Sequence, residues 1–279
     1  MTAEPTRLSL AHLTVLDATP LELIDASAAG GFDFVGLRMV PPTPADTIVP
    51  VVGDEPLIRR IEHRLDETGI RILDVETFWL SPESRIDALL PVLETAARLS
   101  ARYLLVCGND PDQSRLTANF AALCEAARPL GLKAMLEFIP FCQTRTLDAA
   151  LGVIHAAAQP NAGVLVDALH VMRSGGSPQD LRRIDPALLG YWQICDAALG
   201  PPADGDLRTE ARTRRLYPGA GELPLAAMLD VMPSGIPMAV EAPCARYAGL
   251  SVVERGRLCG QATRAFLGNR KPSVTRRTP

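Results

Sequence analysis

The chain has 279 residues, a formal charge of −4 and a pI near 5.6, so no overall basic field exists to hold a nucleic-acid backbone or an anionic membrane. Hydrophobic residues make up 47% and charged residues 22%, which supplies a large core and marks a globular chain. No apolar run approaches the roughly 18 residues of a membrane span, MTAEPTRLSL lacks the blocks of a signal peptide, and six cysteines without a CxxC pair read as reduced thiols, so a soluble cytoplasmic protein is expected.

Length alone leaves the domain count open, because a prior of roughly 150 residues per domain suggests two while α/β barrels run to about 250 residues as one. In chain order, short apolar runs occur at Leu8 to Ala11, Phe34 to Arg38, Arg71 to Glu76, Tyr103 to Cys107, Lys133 to Phe138, Val164 to Asp167, Tyr191 to Cys195 and Met238 to Glu241. Most start about 30 residues after the one before, as successive strand-helix units do. Thr19-Pro20-Leu21-Glu22 offers an N-cap, a proline at the first helical position and a glutamate that closes a capping box. Ser81-Pro82 and Ser177-Pro178-Gln179-Asp180 repeat the device, and the apolar spacing from Ile86 to Leu99 predicts a helix between Pro82 and Ser100. The pattern predicts one closed (β/α)8 TIM barrel over residues 1–268 with a polar tail over 269–279. Two long intervals, Met39 to Glu55 and Ala197 to Leu223, each follow a strand and so belong to the C-terminal face, where loops lengthen to meet substrates.

That face collects the chemistry. The fifth run carries Glu137 at its end, the sixth Asp167, the seventh Gln193 and the eighth Glu241. Three carboxylates and an amide converging in a barrel mouth repel one another unless a cation joins them. An all-oxygen set suits Mg²⁺ or Mn²⁺ better than Zn²⁺. A carboxylate cluster held by arginines and backbone amides without any metal is the alternative. His170 lies three positions after Asp167, and His12 lies on the same rim with a packed, structural role equally open; His63 and His155 fall in helix-like segments and read as structural or surface residues. Arg208, Arg212, Arg214 and Arg215 crowd the interval after the seventh run, and Arg38 ends the second; they read equally as a solvated face partly neutralised by Glu210 and Asp206 or as groups that hold a carboxylate or phosphate in bidentate fashion. Glu76, Phe78 and Trp79 are expected just after the third strand, as one wall of the pocket or, for the two aromatics, as core beneath it.

GLRMV at 36, DVETF at 74, LEFIPF at 136, VDALHVMRSGG at 166, YWQICDA at 191, EARTRRLYPGAGELPL at 210 and VEAP at 240 resemble the xylose-isomerase-like barrels, the sugar phosphate isomerases and epimerases. The resemblance covers nearly the whole chain. It implies a divalent metal on Glu137, Asp167 and Glu241, with Gln193 in place of the family's common histidine. It implies acid and base roles for Glu137 and Glu241, a substrate contact for His170, and substrate binding by Arg212 and Arg215, which keep the family spacing before Pro218 and Gly219. Arg38, Glu76, His12 and Trp79 are further substrate-binding candidates. The same glutamine and the PGxGxLPL loop resemble the bacterial 3-dehydroshikimate dehydratase branch.

The chemistry implied is proton abstraction next to a carbonyl with metal-stabilised enolate, on a sugar or related polyhydroxy carbonyl compound. The expectation is therefore a metal-dependent isomerase or epimerase taking a small-molecule substrate, with a dehydratase-like lyase acting on an acidic substrate as the alternative. A non-catalytic barrel binding a small acid is a second alternative, and family habit leaves a homodimer open. Cleavage of abasic DNA, found in one relative, needs more histidine ligands and a basic groove, and four histidines with an acidic pI argue against it.

Overall fold

The computed structural model describes residues 6–41 and 46–269. Apart from Asn269, the expected polar tail lies outside the described residues, as do residues 42–45 of the first long interval.

Eight parallel strands pair each with the next, and the last pairs with the first, so the sheet closes into a barrel. In order they are β1 (Leu8–Leu10), β2 (Phe34–Arg38), β3 (Arg71–Leu80), β4 (Tyr103–Gly108), β5 (Lys133–Glu137), β6 (Ala162–Asp167), β7 (Trp192–Ile194) and β8 (Met238–Val240). Between them run α1 (Pro20–Gly30), α2 (Glu55–Thr68), α3 (Leu90–Arg98), α4 (Gln113–Ala127), α5 (Leu147–Ala157), α6 (Ala168–Arg173), α7 (Leu207–Thr213) and α8 (Leu225–Val231), and α9 (Val252–Asn269) follows β8. This is a single-domain (β/α)8 barrel. Every residue of β6 is buried, as a parallel strand covered on both faces requires, which is why its sequence is an unbroken apolar run up to Asp167.

The helix signals are met unevenly. Thr19 and Glu22 close the expected capping box on α1, and Asp54 and Thr146 cap α2 and α5 through their side chains. Ser81-Pro82, by contrast, starts no helix: the Ser81 hydroxyl is shared between the backbone N–H and the carboxylate of Glu83 in a local turn, and α3 begins only at Leu90 after a short 3₁₀ turn. Ser177 and Asp180 do form a capping box, on a 3₁₀ helix over Pro178–Arg183. A second correction concerns β3, which runs on to Leu80. After a register shift between Val75 and Phe78 it stays paired with β4, Phe78 opposite Val106 and Trp79 opposite Cys107, so Glu76, Phe78 and Trp79 belong to the strand and do not follow it.

Apolar side chains fill two spaces. The larger lies between sheet and helices, and a smaller plug that includes Phe34, Leu73, Leu105, Met135, Leu165 and Tyr191 is a separate cluster of strand residues. Gly36 on β2 makes room in the upper barrel, since a Cβ there would lie 2.8 Å from Glu76 Oε1 and 3.1 Å from Asp74 Oδ1. The seam is sealed from outside by α9, which packs on α1 so closely that a Cβ on Gly260 would overlap the carbonyl oxygen of Gly30, and Gly256 faces the backbone of Ala26. All six cysteines are free, and among the described residues no helix is long and apolar enough to cross a membrane.

Candidate active site

Glu137 ends β5, Asp167 ends β6 and Glu241 directly follows β8, so three parts of one side of the rim each turn a carboxylate inward. One oxygen from each lies within 4.8 Å of the others. Gln193, central in β7, donates Nε2 to Glu241 Oε1 at 3.0 Å. Asp167 does two jobs: Oδ1 accepts the His170 N–H at 3.0 Å and so caps α6, while Oδ2 accepts from Arg215 Nη1 at 2.7 Å.

Arg215 is the counter-charge. Its guanidinium is 1% exposed, meets Asp167 on one side and Glu241 Oε2 at 2.9 Å on the other, donates to the carbonyls of Ala211 and Glu241 and to Cys195 Sγ, and lies 3.5 Å from His170 Nε2. The sequence places Arg215 as a substrate ligand; the structure gives these contacts to the protein, because Arg215 lies just past α7, between the bridge residues Arg214 and Leu216 and with its N–H on the Pro243 carbonyl.

One cation among three buried carboxylates leaves an imbalance, and it is visible in the proton affinities. Burial, followed by the charges of Glu241 and Asp167, pushes the Glu137 carboxyl well up from its ordinary value. Burial pushes Glu241 up to about 7 against the pull of Arg215. At Asp167 burial also opposes ionisation, but Arg215 and the groups of His170 outweigh it and the carboxyl sits below its ordinary value. Burial lowers His170 to about 4, so the imidazole is neutral near pH 7. His170 Nε2 lies 3.8 Å from Glu137 Oε1 and its ring meets Phe141 edge-on.

These residues fit a divalent cation. Among the described residues Glu137 Oε1 and Gln193 Oε1 are buried without any hydrogen-bond partner, and both are oxygens of the hard kind that Mg²⁺ or Mn²⁺ takes. Gln193 removes the imidazole that would soften the set.

A second group stands beside this one. Arg38 donates Nη2 to Glu76 Oε2 at 3.0 Å and to Thr77 Oγ1 at 3.3 Å, and Glu76 Oε1 accepts the His12 backbone N–H at 2.9 Å. His12 Nδ1 accepts the Arg38 N–H at 3.0 Å and Nε2 lies 3.1 Å from the Ala18 carbonyl, a pattern that needs the proton on Nε2. Both ring nitrogens are therefore used by backbone, and His12 steadies Arg38 where the sequence suggests a substrate contact. Arg212 pairs with Asp46 at 2.9 Å, tying α7 to the interval after β2. Trp79 lines the mouth together with Arg38, Glu137, His170, Arg212 and Glu241, as expected of a pocket wall. The space there, open toward solvent, is about 50 Å³. A larger cleft of about 790 Å³ sits at the other end of the strands, but its Arg98 is already clamped by Glu55 and Glu62.

Three participants were not singled out from sequence. Cys107 near the end of β4 donates Sγ to Glu137 Oε2 at 3.6 Å, and asking of β4 what was asked of β5 to β8 would have found it. Phe141 forms part of the wall, and Asp74, fully buried below Glu76, is disguised by its apolar neighbours in RILDVETF.

With this geometry in place the chain can be compared with known proteins. It belongs to the xylose isomerase-like TIM barrel family, whose pattern matches residues 24–258. It is 27% identical over 157 residues to an inosose isomerase of Bacillus licheniformis, covering 53% of this chain and 55% of that protein. It is 26% identical over 227 residues to a 3-dehydroshikimate dehydratase of Pseudomonas putida, covering 77% of this chain and 34% of that protein. The chain thus spans about half, or about a third, of the length of these relatives. Among solved structures it resembles the IolI protein with a bound zinc atom, with a TM-score of 0.76, 21% identity and coverage of 94% and 98%, a likeness of fold.

Proposed function

We propose that the protein is a divalent-metal-dependent isomerase or epimerase of a sugar or related polyhydroxy carbonyl compound. The observation that carries this reading is the convergence of Glu137, Asp167 and Glu241 beside two buried, unpartnered oxygens, Glu137 Oε1 and Gln193 Oε1. Glu137, Asp167, Glu241 and Gln193 would hold the cation. When bound there it supplies Lewis-acid stabilisation of negative charge developing next to a carbonyl.

The chain's own groups do the rest. Glu137 after β5 and Glu241 after β8 bring carboxylate oxygens within 4.8 Å of each other, and burial raises the proton affinity of both, so the pair can take and return a proton. His170, neutral and within reach of Glu137, offers a ring nitrogen to a substrate hydroxyl. Phe141 and Trp79 exclude water from one side of the mouth. The test is solvent deuterium exchange at the carbon next to the carbonyl of ketoses and inososes, with metal-stripped protein and after adding Mn²⁺. Exchange that needs both protein and Mn²⁺ supports the reading; exchange that ignores the metal, or none on any of these compounds, rejects it.

A dehydratase-like reading is favoured by Gln193 and by the 77% of this chain that aligns with the Pseudomonas putida dehydratase. In that case the same base removes the proton and a β-hydroxyl departs. Metal-dependent formation of protocatechuate from 3-dehydroshikimate, followed by ultraviolet absorbance, would move the protein to that class.

A further inference from the structure

The mouth is lined by four arginines, Arg38, Arg208, Arg212 and Arg215. Three are engaged by carboxylates: Arg38 by Glu76 at 3.0 Å, Arg212 by Asp46 at 2.9 Å, and Arg215 by Asp167 at 2.7 Å and Glu241 at 2.9 Å. Arg208, in the first turn of α7, is different. Its guanidinium carbon lies 4.9 Å from the ring centre of Phe141 and 5.9 Å from that of Trp79, and among the described residues no carboxylate lies within ion-pairing distance of it.

A guanidinium resting on aromatic faces keeps its N–H donors in the plane of the group, where they remain free for a bidentate partner. The space below, open toward solvent, is about 50 Å³, whereas pockets that take small molecules run to several hundred. A polyhydroxy compound therefore enters only by displacing part of this wall, and the exposed Arg208 side chain is the part held by stacking rather than by a salt bridge.

We propose that Arg208 is the specificity residue of this pocket and that it selects substrates carrying a carboxylate, which draws its guanidinium off the Phe141 and Trp79 rings into a bidentate pair. This rests on the reading of the mouth as a pocket for polyhydroxy carbonyl compounds. It also reassigns the anion-binding role from Arg212 and Arg215, which are occupied, to the neighbour that is not.

The experiment uses calorimetry on the full chain loaded with Mn²⁺, with two pairs of ligands that differ only in charge: shikimate against methyl shikimate, and glucuronate against glucuronamide. Wild type should bind at least one acid about 10- to 100-fold more tightly than its neutral partner, the range of a charge-assisted bidentate contact. Arg208→Gln should erase that ratio by weakening the acid, with the neutral partner bound at least as tightly as by wild type and the Mn²⁺ stoichiometry unchanged, and Arg208→Lys should restore part of it. Equal binding of acid and neutral partner by wild type, survival of the ratio in Arg208→Gln, or no binding of any of the four overturns the proposal. The two readings fail separately: an acid preference without metal-dependent exchange leaves Arg208 standing and removes the isomerase, and exchange without acid preference does the reverse.

Discussion

Gln193 donates one end of its amide to Glu241 at 3.0 Å and leaves the other, Oε1, buried with no partner among the described residues. The first contact orients the second. A buried carbonyl oxygen without a donor costs free energy unless something else approaches it, and a hard cation is the group that its three carboxylate neighbours would share.

Replacing Gln193 with alanine should therefore weaken Mn²⁺ binding by about 10- to 100-fold, the range seen when an oriented group at a metal site is lost. Gln193→His should instead move the preference toward Zn²⁺. Competition between the two metals under calorimetry reads both; unchanged affinities in Gln193→Ala would take this residue out of the ligand set.

Proton release gives an independent reading. With Glu241 titrating at about 7, its carboxyl is largely protonated at about pH 6, and an incoming cation must displace that proton. Mn²⁺ affinity should climb between about pH 6 and about pH 8 while the number of protons released falls, measured in buffers of different ionisation enthalpy. The same shift sets a stability slope. A pKa raised from 4.5 to about 7 on folding means that the native state holds the extra proton, so the metal-free protein loses stability as pH rises through that window. His170, lowered from 6.5 to about 4, acts oppositely: its contribution is full above 6.5 and is lost as pH falls toward 4. Glu241→Gln should flatten the upper slope in chemical denaturation and reduce activity by about 10²- to 10⁴-fold.

Arg215→Met tests the counter-charge. Removing one partner of a buried ion pair costs about 3–5 kcal/mol, and here two carboxylates lose the same cation. Urea denaturation of the metal-free variant should show that loss, and Mn²⁺ should recover a larger share of stability than it adds to wild type, because it takes over the neutralisation. Equal gains in both proteins would mean that Arg215 and the metal do not act on the same charges.

Gly36→Ala probes the neighbouring group. Its Cβ would come within 2.8 Å of Glu76 Oε1, so the carboxylate that holds Arg38 and the His12 backbone must shift. Overpacking of this kind costs about 1–3 kcal/mol. A fall in kcat/KM with Mn²⁺ affinity unchanged would place the damage at Arg38; wild-type kinetics would show that the wall is more compliant than its packing suggests.

The barrel was legible because parallel strands buried on both faces have no polar side to disguise them, and β6 with its terminal Asp167 is the clearest case. The rim carboxylates followed from strand ends alone. Two kinds of information were not there. Ser81-Pro82 carries the same letters as Thr19-Pro20, and only the continuation of β3 to Leu80 decides that one starts a turn and the other a helix. The run RTRR offers Arg212, Arg214 and Arg215 as near equals, yet they end against Asp46, Asp204 and the buried pair of Asp167 and Glu241, because α7 stops at Thr213 and the chain turns into isolated bridges that aim the last two differently. His12 is a similar case, since its rim position says nothing of the two backbone groups that claim its ring.

The contact between α1 and α9 reaches further than the surface it seals. Glu241 stands at the end of β8, the strand that α9 follows, and α9 rests against α1 through places where Gly30, Gly256 and Gly260 have no side chain to hold it off. A methyl group at Gly260 would collide with the backbone of Gly30 and push the last helix outward. The closing of the outer wall, far from the carboxylates, is thus set by what three glycines lack, and a side chain at any of them would be felt as lost stability before it was felt as lost chemistry.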